Sequence, residues 1–165
     1  MQFDPSITQA RFDSALGPIT VAATHQGLAG VWFMGQSHEP EHGQWPVNAG
    51  HPVLRKAVQQ LRQYFASKRN SFDVPLDLRG GTAFQQSVWQ ALLAIPFGAR
   101  TSYGAIGAAL GKPQAMRAVG AAVGRNPVGI IVPCHRVLGA DGSLTGYAGG
   151  LERKLALLKL EAARY

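Results

Sequence analysis

Apolar positions in the first third of the chain fall in short runs separated by turn residues. Gln9 to Leu16, Ile19 to Ala23 after Gly17-Pro18, and Leu28 to Met34 after Gly27 each have strand length, which predicts a β-meander. Residues 35–50 mix Gly, Pro, His and Glu without a period and read as a loop. From Pro52 to Ala66 the residues Val53, Leu54, Ala57, Val58, Leu61 and Phe65 recur at helical spacing, which predicts an amphipathic helix. Phe72 to Leu78 alternates and reads as an edge-type strand, and Gly80-Gly81 marks the best boundary.

Beyond that boundary the period becomes helical. Thr82-Ala83-Phe84-Gln85 has capping-box spacing, and Phe84, Val88, Trp89, Leu92, Leu93 and Ile95 form one apolar stripe that Pro96-Phe97-Gly98 ends. Thr101-Ser102 offers a cap for a short helix from Tyr103 to Leu110, stopped by Gly111, and Pro113 opens another that runs to about Val123. That pair has helix-turn-helix form, which by itself is also a common packing device. The run Val128-Gly129-Ile130-Ile131-Val132 reads as a buried strand, and Leu151 to Ala163 as a final helix. The expected fold class is α+β or α/β. A small N-terminal subdomain of sheet plus helix, 1–79, precedes a mainly helical C-terminal domain, 80–165, that holds the helix-turn-helix and the cysteine.

Composition narrows the class. A chain of 165 residues that is 46% hydrophobic can bury a core. No run approaches the ~20 apolar residues of a membrane span, and Met1 to Ser6 lacks the basic start and apolar centre of a signal peptide. A single cysteine cannot form an intramolecular disulfide. The expected location is the cytoplasm. Charge is lopsided: residues 82–165 carry 9 cationic and 3 anionic side chains, residues 1–81 carry 7 and 6, and the whole is +7. A basic C-terminal half suits a polyanionic partner, although a solvated basic face has the same composition.

The lone thiol lies in Pro133-Cys134-His135-Arg136, beside an imidazole and a guanidinium. Cationic neighbours lower a thiol pKa and favour the nucleophilic thiolate, whereas a buried cysteine can equally be a small core hydrophobe. The helix after Pro113 is also ambiguous. Ala115, Ala118, Gly120, Ala121 and Ala122 dominate it, leaving Gln114, Arg117 and Arg125 as its main long polar groups. Small residues suit close approach to a shallow groove, with a long cation entering the stack as a base leaves it; they suit tight helix packing equally well.

Several runs together resemble one family. Phe84-Gln85-Gln86-Ser87-Val88-Trp89, Pro96-Phe97-Gly98, Thr101-Ser102-Tyr103, Ala115-Met116-Arg117-Ala118-Val119-Gly120, Arg125-Asn126-Pro127, Pro133-Cys134-His135-Arg136-Val137 and Gly146-Tyr147-Ala148-Gly149-Gly150-Leu151 are similar, in order and spacing, to the O6-alkylguanine-DNA alkyltransferases. The resemblance is dense over 80–163 and loose over 1–79. It implies a DNA repair protein that flips O6-alkylguanine out of duplex DNA and transfers the alkyl group irreversibly to its own cysteine, once per molecule.

On that resemblance Cys134 is the nucleophile. His135 takes the thiol proton through a water, because adjacent side chains on an extended backbone point apart, and Glu161 orients the imidazole. Tyr103 gives a hydrogen bond or proton to the leaving guanine, and Asn126 braces the turn into the active-site segment. Arg117 replaces the extruded nucleotide, with Gln114, Ala115, Ala118, Arg125, Arg136 and Ser102 as further DNA-binding candidates. Val123, Val137, Tyr147, Ala148 and Gly149 are pocket candidates, the last three as a glycine-hinged lid.

The implied partner is double-stranded DNA, met through the minor groove with little sequence preference, by a monomer that can cluster. No cofactor is implied. One cysteine cannot supply the zinc or metal-thiolate sets of some relatives, and His25, His38, His42 and His51 are irregularly spaced for a metal. Two rival readings stand. A non-catalytic alkylated-DNA-binding module would leave Cys134 inert, and a cysteine hydrolase would leave the basic small-residue helix unexplained.

Overall fold

The computed structural model describes residues 1–162 of the chain. Strands β1 (Thr8–Ser14), β2 (Gly17–Thr24) and β3 (Gly27–Phe33) form an antiparallel sheet in the order β1-β2-β3. The β1–β2 hairpin closes through Ala15-Leu16, with Ser14 paired to Gly17, whose φ of 112° suits glycine. Ala10 and Phe12 of β1 face inward, while every residue of β3 is buried, so the sheet is covered on both sides. Helix α1 (Pro52–Phe65) covers one face with Leu54, Ala57, Leu61 and Tyr64; His51 caps it by accepting from the Val53 amide at 3.1 Å. The strands and this helix match the expected elements to within two residues at each end.

The segment 72–78 does not become a full strand. It touches β3 through one bridge, Leu28 to Leu76, with the Leu28 amide donating to Pro75 and the Asp77 amide donating to Leu28. Pro75 has no N–H to extend the ladder.

In the second half α2 (Ala83–Leu93) starts on the expected capping box, Thr82 with Gln85. It buries Val88, Trp89 and Leu92, and the Trp89 indole donates to the Ala122 carbonyl at 2.8 Å, fixing α2 against the helix that follows the turn. Full burial of each large apolar side chain stabilises the fold by about 1.5–3 kcal/mol. Strand β4 (Thr101–Ser102) leads into α3 (Tyr103–Ala109), capped by Ser102 through the Ala105 amide at 3.1 Å. Helix α4 (Met116–Gly124) begins three residues later than Pro113, because 112–115 forms a turn and Ala115 supplies no side-chain cap.

The expected strand 128–132 is coil. Val128 bridges β3 at Val31, but then the Ile131, Val132 and Cys134 amides donate back to Gly129, Val128 and Val132, winding the chain into tight turns. Ile130 is buried with φ at 71°. The apolar run recorded burial, but its pairing with β3 stops at Gly129, beyond which the amides bond back within the segment. A single 3-10 turn, Cys134–Arg136, follows, then β5 (Val137–Leu138), which pairs in parallel with β4. Helix α5 (Leu151–Ala162) closes the described chain, and the expected last helical residue, Ala163, lies outside the described residues. Among the described residues, no helix is long and apolar enough to cross a membrane.

Candidate active site

Cys134 opens the 3-10 turn and is 7% exposed, reached from a cavity of about 280 Å³. Ser37, His38, Tyr103, Gly120, Val123, Gly124, Gly146, Tyr147 and Ala148 line the remainder of that cavity. A larger open groove of about 820 Å³ on α1, lined by Arg11, Arg55 and Arg62 among others, holds neither thiol nor acid-base pair. The chemistry therefore belongs to the smaller cavity.

Burial pushes the Cys134 thiol above its ordinary range, and the Asn126 side chain and the Lys154 charge offset this only in part. The expectation of a thiol lowered by its neighbours is thus reversed in the resting site. Proximity to cations lowers a thiol pKa only if it outweighs desolvation, and this sulfur sits in an apolar wall.

His135 is wholly buried, and its Nε2 lies 2.7 Å from Glu161 Oε2. Burial favours the neutral ring, holding the imidazole below its usual range, with Glu161 opposing that trend. Because the carboxylate accepts, the proton of a neutral ring belongs on Nε2, which leaves a lone pair on Nδ1. That Nδ1 is buried without a hydrogen-bond partner among the described residues. Cys134 and His135 share a 3-10 turn rather than the expected extended backbone, where successive side chains still diverge.

Glu161 lies on the inward face of α5, 1% exposed. Burial raises its pKa, but the hydrogen bonds from His135 and Arg136 outweigh that and hold it at about 2. Arg136 reaches it with Nε at 2.8 Å and its second terminal nitrogen at 3.0 Å, and donates to the Ile95 carbonyl at 2.7 Å. Arg136 is 6% exposed. Its expected place among DNA contacts is therefore corrected: the guanidinium is consumed inside the protein, because Glu161 needs a buried counter-charge.

Asn126 is buried on the turn after α4. Its Nδ2 donates to the Val132 carbonyl at 2.7 Å and its Oδ1 accepts from the Val128 amide at 3.0 Å, so one side chain pins both ends of the coil that delivers Cys134. Tyr103 stands at the first turn of α3, half-buried, its hydroxyl 3.3 Å from Thr145 Oγ1. Val123, Tyr147 and Ala148 line the cavity as expected positions for a pocket. Val137 and Gly149 do not line it. The Val137 carbonyl is engaged by Lys154, and Gly149 acts at one remove: a Cβ there would come within 2.7 Å of the Tyr147 ring.

Gln114, Arg117, Ala118 and Arg125 are exposed on or beside α4, and Ala115 and Ser102 are half-buried nearby. These residues make a strip of small side chains studded with long polar ones.

Lys154 was not legible as a site residue. It is fully buried, and its Nζ donates to the carbonyls of Val137 at 2.6 Å, Thr145 at 2.9 Å and Gly146 at 3.3 Å. Its i+3 and i+4 spacing to the buried Leu157 and Leu158 is the signal that places it on the inner face. Ser37 and His38, on the loop after β3, were missed too; the Ser37 amide donates to the Ala148 carbonyl at 2.9 Å and ties that loop to the lid. Among the described residues, no group of three or more His, Cys, Asp or Glu is arranged to hold a metal ion.

An exposed strip of small and basic residues beside a buried Cys, His and Glu set defines a protein with a thiol site next to a basic helical surface, and comparison with known proteins makes the assignment specific. Residues 83–163 match the DNA binding domain of 6-O-methylguanine DNA methyltransferase, and residues 7–78 match the ribonuclease-like domain of the same protein. The chain belongs to the 6-O-methylguanine DNA methyltransferase family. A methylated-DNA-protein-cysteine methyltransferase of Mycobacterium tuberculosis (strain ATCC 25618 / H37Rv) is 52% identical over 152 residues, 92% of this chain and 90% of the relative. One of Methanosarcina acetivorans is 50% identical over 155 residues, 93% of this chain and 97% of the relative. A solved structure of Mycobacterium tuberculosis OGT in complex with DNA superposes with a TM-score of 0.86 at 49% identity, covering 95% of this chain and 94% of that one.

Proposed function

We propose that the protein repairs DNA by moving an alkyl group from O6 of a guanine onto the Cys134 sulfur, one transfer per molecule. The arrangement that carries this reading is the fixed tautomer of His135: Glu161 holds the Nε2 proton, so the unpartnered Nδ1 is the basic atom of the turn that bears Cys134. Through a water molecule Nδ1 takes the thiol proton as the sulfur attacks the alkyl carbon; an S–C bond forms, the C–O bond breaks, and the electron pair leaves on guanine. The Tyr103 hydroxyl, on the cavity wall, gives the leaving base a proton. A proton from the imidazolium, relayed by solvent, restores the phenol, so the thiol hydrogen ends on guanine. The resting thiol is neutral, which keeps it from oxidation until a base fills the cavity and the proton is drawn off.

The exposed α4 strip, Gln114 to Arg125, supports contact with double-stranded DNA from the minor groove. Its alanines permit close approach without base reading, and Arg117 is long enough to take the space of an everted nucleotide. Sequence preference is accordingly slight. Residues 1–79 carry the sheet and the loop that meets the lid, and residues 80–165 carry thiol and DNA face. The protein works in the cytoplasm as a monomer, with clustering along DNA open to it.

Labelling with O6-benzylguanine tests the reading. The protein should gain one benzyl group at Cys134, and Cys134→Ser should gain none while still binding DNA. Lesion binding with an unlabelled thiol would assign the chain to a non-catalytic module; turnover would assign it to hydrolytic chemistry.

A further inference from the structure

We infer that Tyr64, on α1 of the N-terminal half, is a positioning residue for alkyl transfer, acting through Glu161. This rests on the reading of Cys134 and His135 given above. Tyr64 is fully buried at the last turn of α1, and its hydroxyl donates to Glu161 Oε2 at 2.6 Å. That same oxygen accepts from His135 Nε2 at 2.7 Å and from Arg136 at 3.0 Å, so phenol, imidazole and guanidinium meet on one acceptor atom.

The groups facing the Glu161 carboxylate are few. His135 and Arg136 reach it from the 3-10 turn and Tyr64 from α1, while Tyr147 of the lid interacts with it at longer range. On α5 itself, Lys154 turns its ammonium toward Val137 and Thr145. Burial together with Glu161 pushes the Tyr64 phenol far above its ordinary range, so it stays a donor. The ring is wedged against Phe65, Phe72 and Phe97, which sets the direction of the O–H.

Two effects follow from a donor placed there. The phenol, together with the two-point grip of Arg136, braces the carboxylate against which His135 is held, which orients Nδ1. It also withdraws charge from Oε2, which keeps the imidazole a weaker base than an unshared carboxylate would make it. Residues 7–78 thereby reach into proton transfer at a thiol 70 positions away in sequence.

Tyr64→Phe keeps the ring and removes only the hydroxyl. The rate of Cys134 labelling by free O6-benzylguanine, measured across pH, should fall about fivefold at its plateau, the worth of one ordinary hydrogen bond. Its acid limb should move up by about half a unit as His135 becomes more basic. In a Glu161→Gln background the same substitution should change the rate by less than about twofold, since its route is gone. An unmoved acid limb with a parental rate, or an equal loss in both backgrounds, would overturn the inference. Failure of the parent protein to label would instead overturn the reading of Cys134 itself.

Discussion

Lys154 and Val137 are joined by a 2.6 Å hydrogen bond from a fully buried ammonium to a backbone carbonyl. The carbonyl belongs to the residue that ends the 3-10 turn of Cys134, and the ammonium also holds Thr145 and Gly146, where the lid begins. Helix α5 therefore serves both sides of the cavity, with Glu161 under the imidazole and Lys154 between turn and lid.

Lys154→Met should keep the helix and lose the frame. The methionine fills similar volume but leaves buried carbonyls without a donor, at a cost of about 3 kcal/mol in all. Urea denaturation should show this as a lowered midpoint with an unchanged slope. Labelling of the folded fraction should slow as well, because the lid loses its anchor. Parental stability would show that the three carbonyls find other partners.

Arg117 and Arg136 should part company when each becomes alanine. Arg117 is exposed on α4, so its loss should weaken repair of duplex DNA while leaving reaction with free O6-benzylguanine and the denaturation midpoint near parental values. Arg136 is spent on Glu161, and removing it strands a buried carboxylate, a loss of about 3–5 kcal/mol. DNA affinity of the parent should also fall steeply with salt. Equal effects of the two substitutions on duplex repair and on folding would contradict the placement of either side chain.

Acid should destabilise the fold in two stages. An unfolded histidine takes up its proton as pH falls through about 6.5, whereas buried His135 resists, so stability drops below that pH. Glu161 is held at about 2, so its contribution is present above the ordinary carboxylate range and is lost as pH falls from there toward 2. Asp77, bonded by Arg79 and Thr24, adds to the second stage. Urea midpoints from about pH 8 to about pH 4 should decline throughout, and a flat profile between pH 7 and pH 5 would show that His135 titrates freely.

Much of this was legible in the residues because it rests on local rules. The capping box at Thr82, the proline that opens α1 and the turn glycines are decided by a few neighbouring side chains. The site was legible through the spacing of Cys134, His135, Tyr103 and Glu161, which resembles a known family. Relations across long loops were hidden. Tyr64 looks like one more apolar position of α1, Lys154 like a solvated cation of α5, and Arg136 like a basic surface group beside a reactive thiol. Each acquires its role from a buried partner 8 or more residues away. The run 128–132 misled for a similar reason: four apolar residues around Gly129 report burial, and only the local turn bonds after Gly129 decide against β structure.

Peptide mapping of the protein after incubation with duplex DNA carrying O6-methylguanine is the most direct test. The peptide containing Cys134 should carry one methyl group on sulfur, in a yield equal to the lesions lost and never exceeding one per protein molecule. Disappearance of the lesion with an unmodified Cys134 would contradict alkyl transfer to this sulfur.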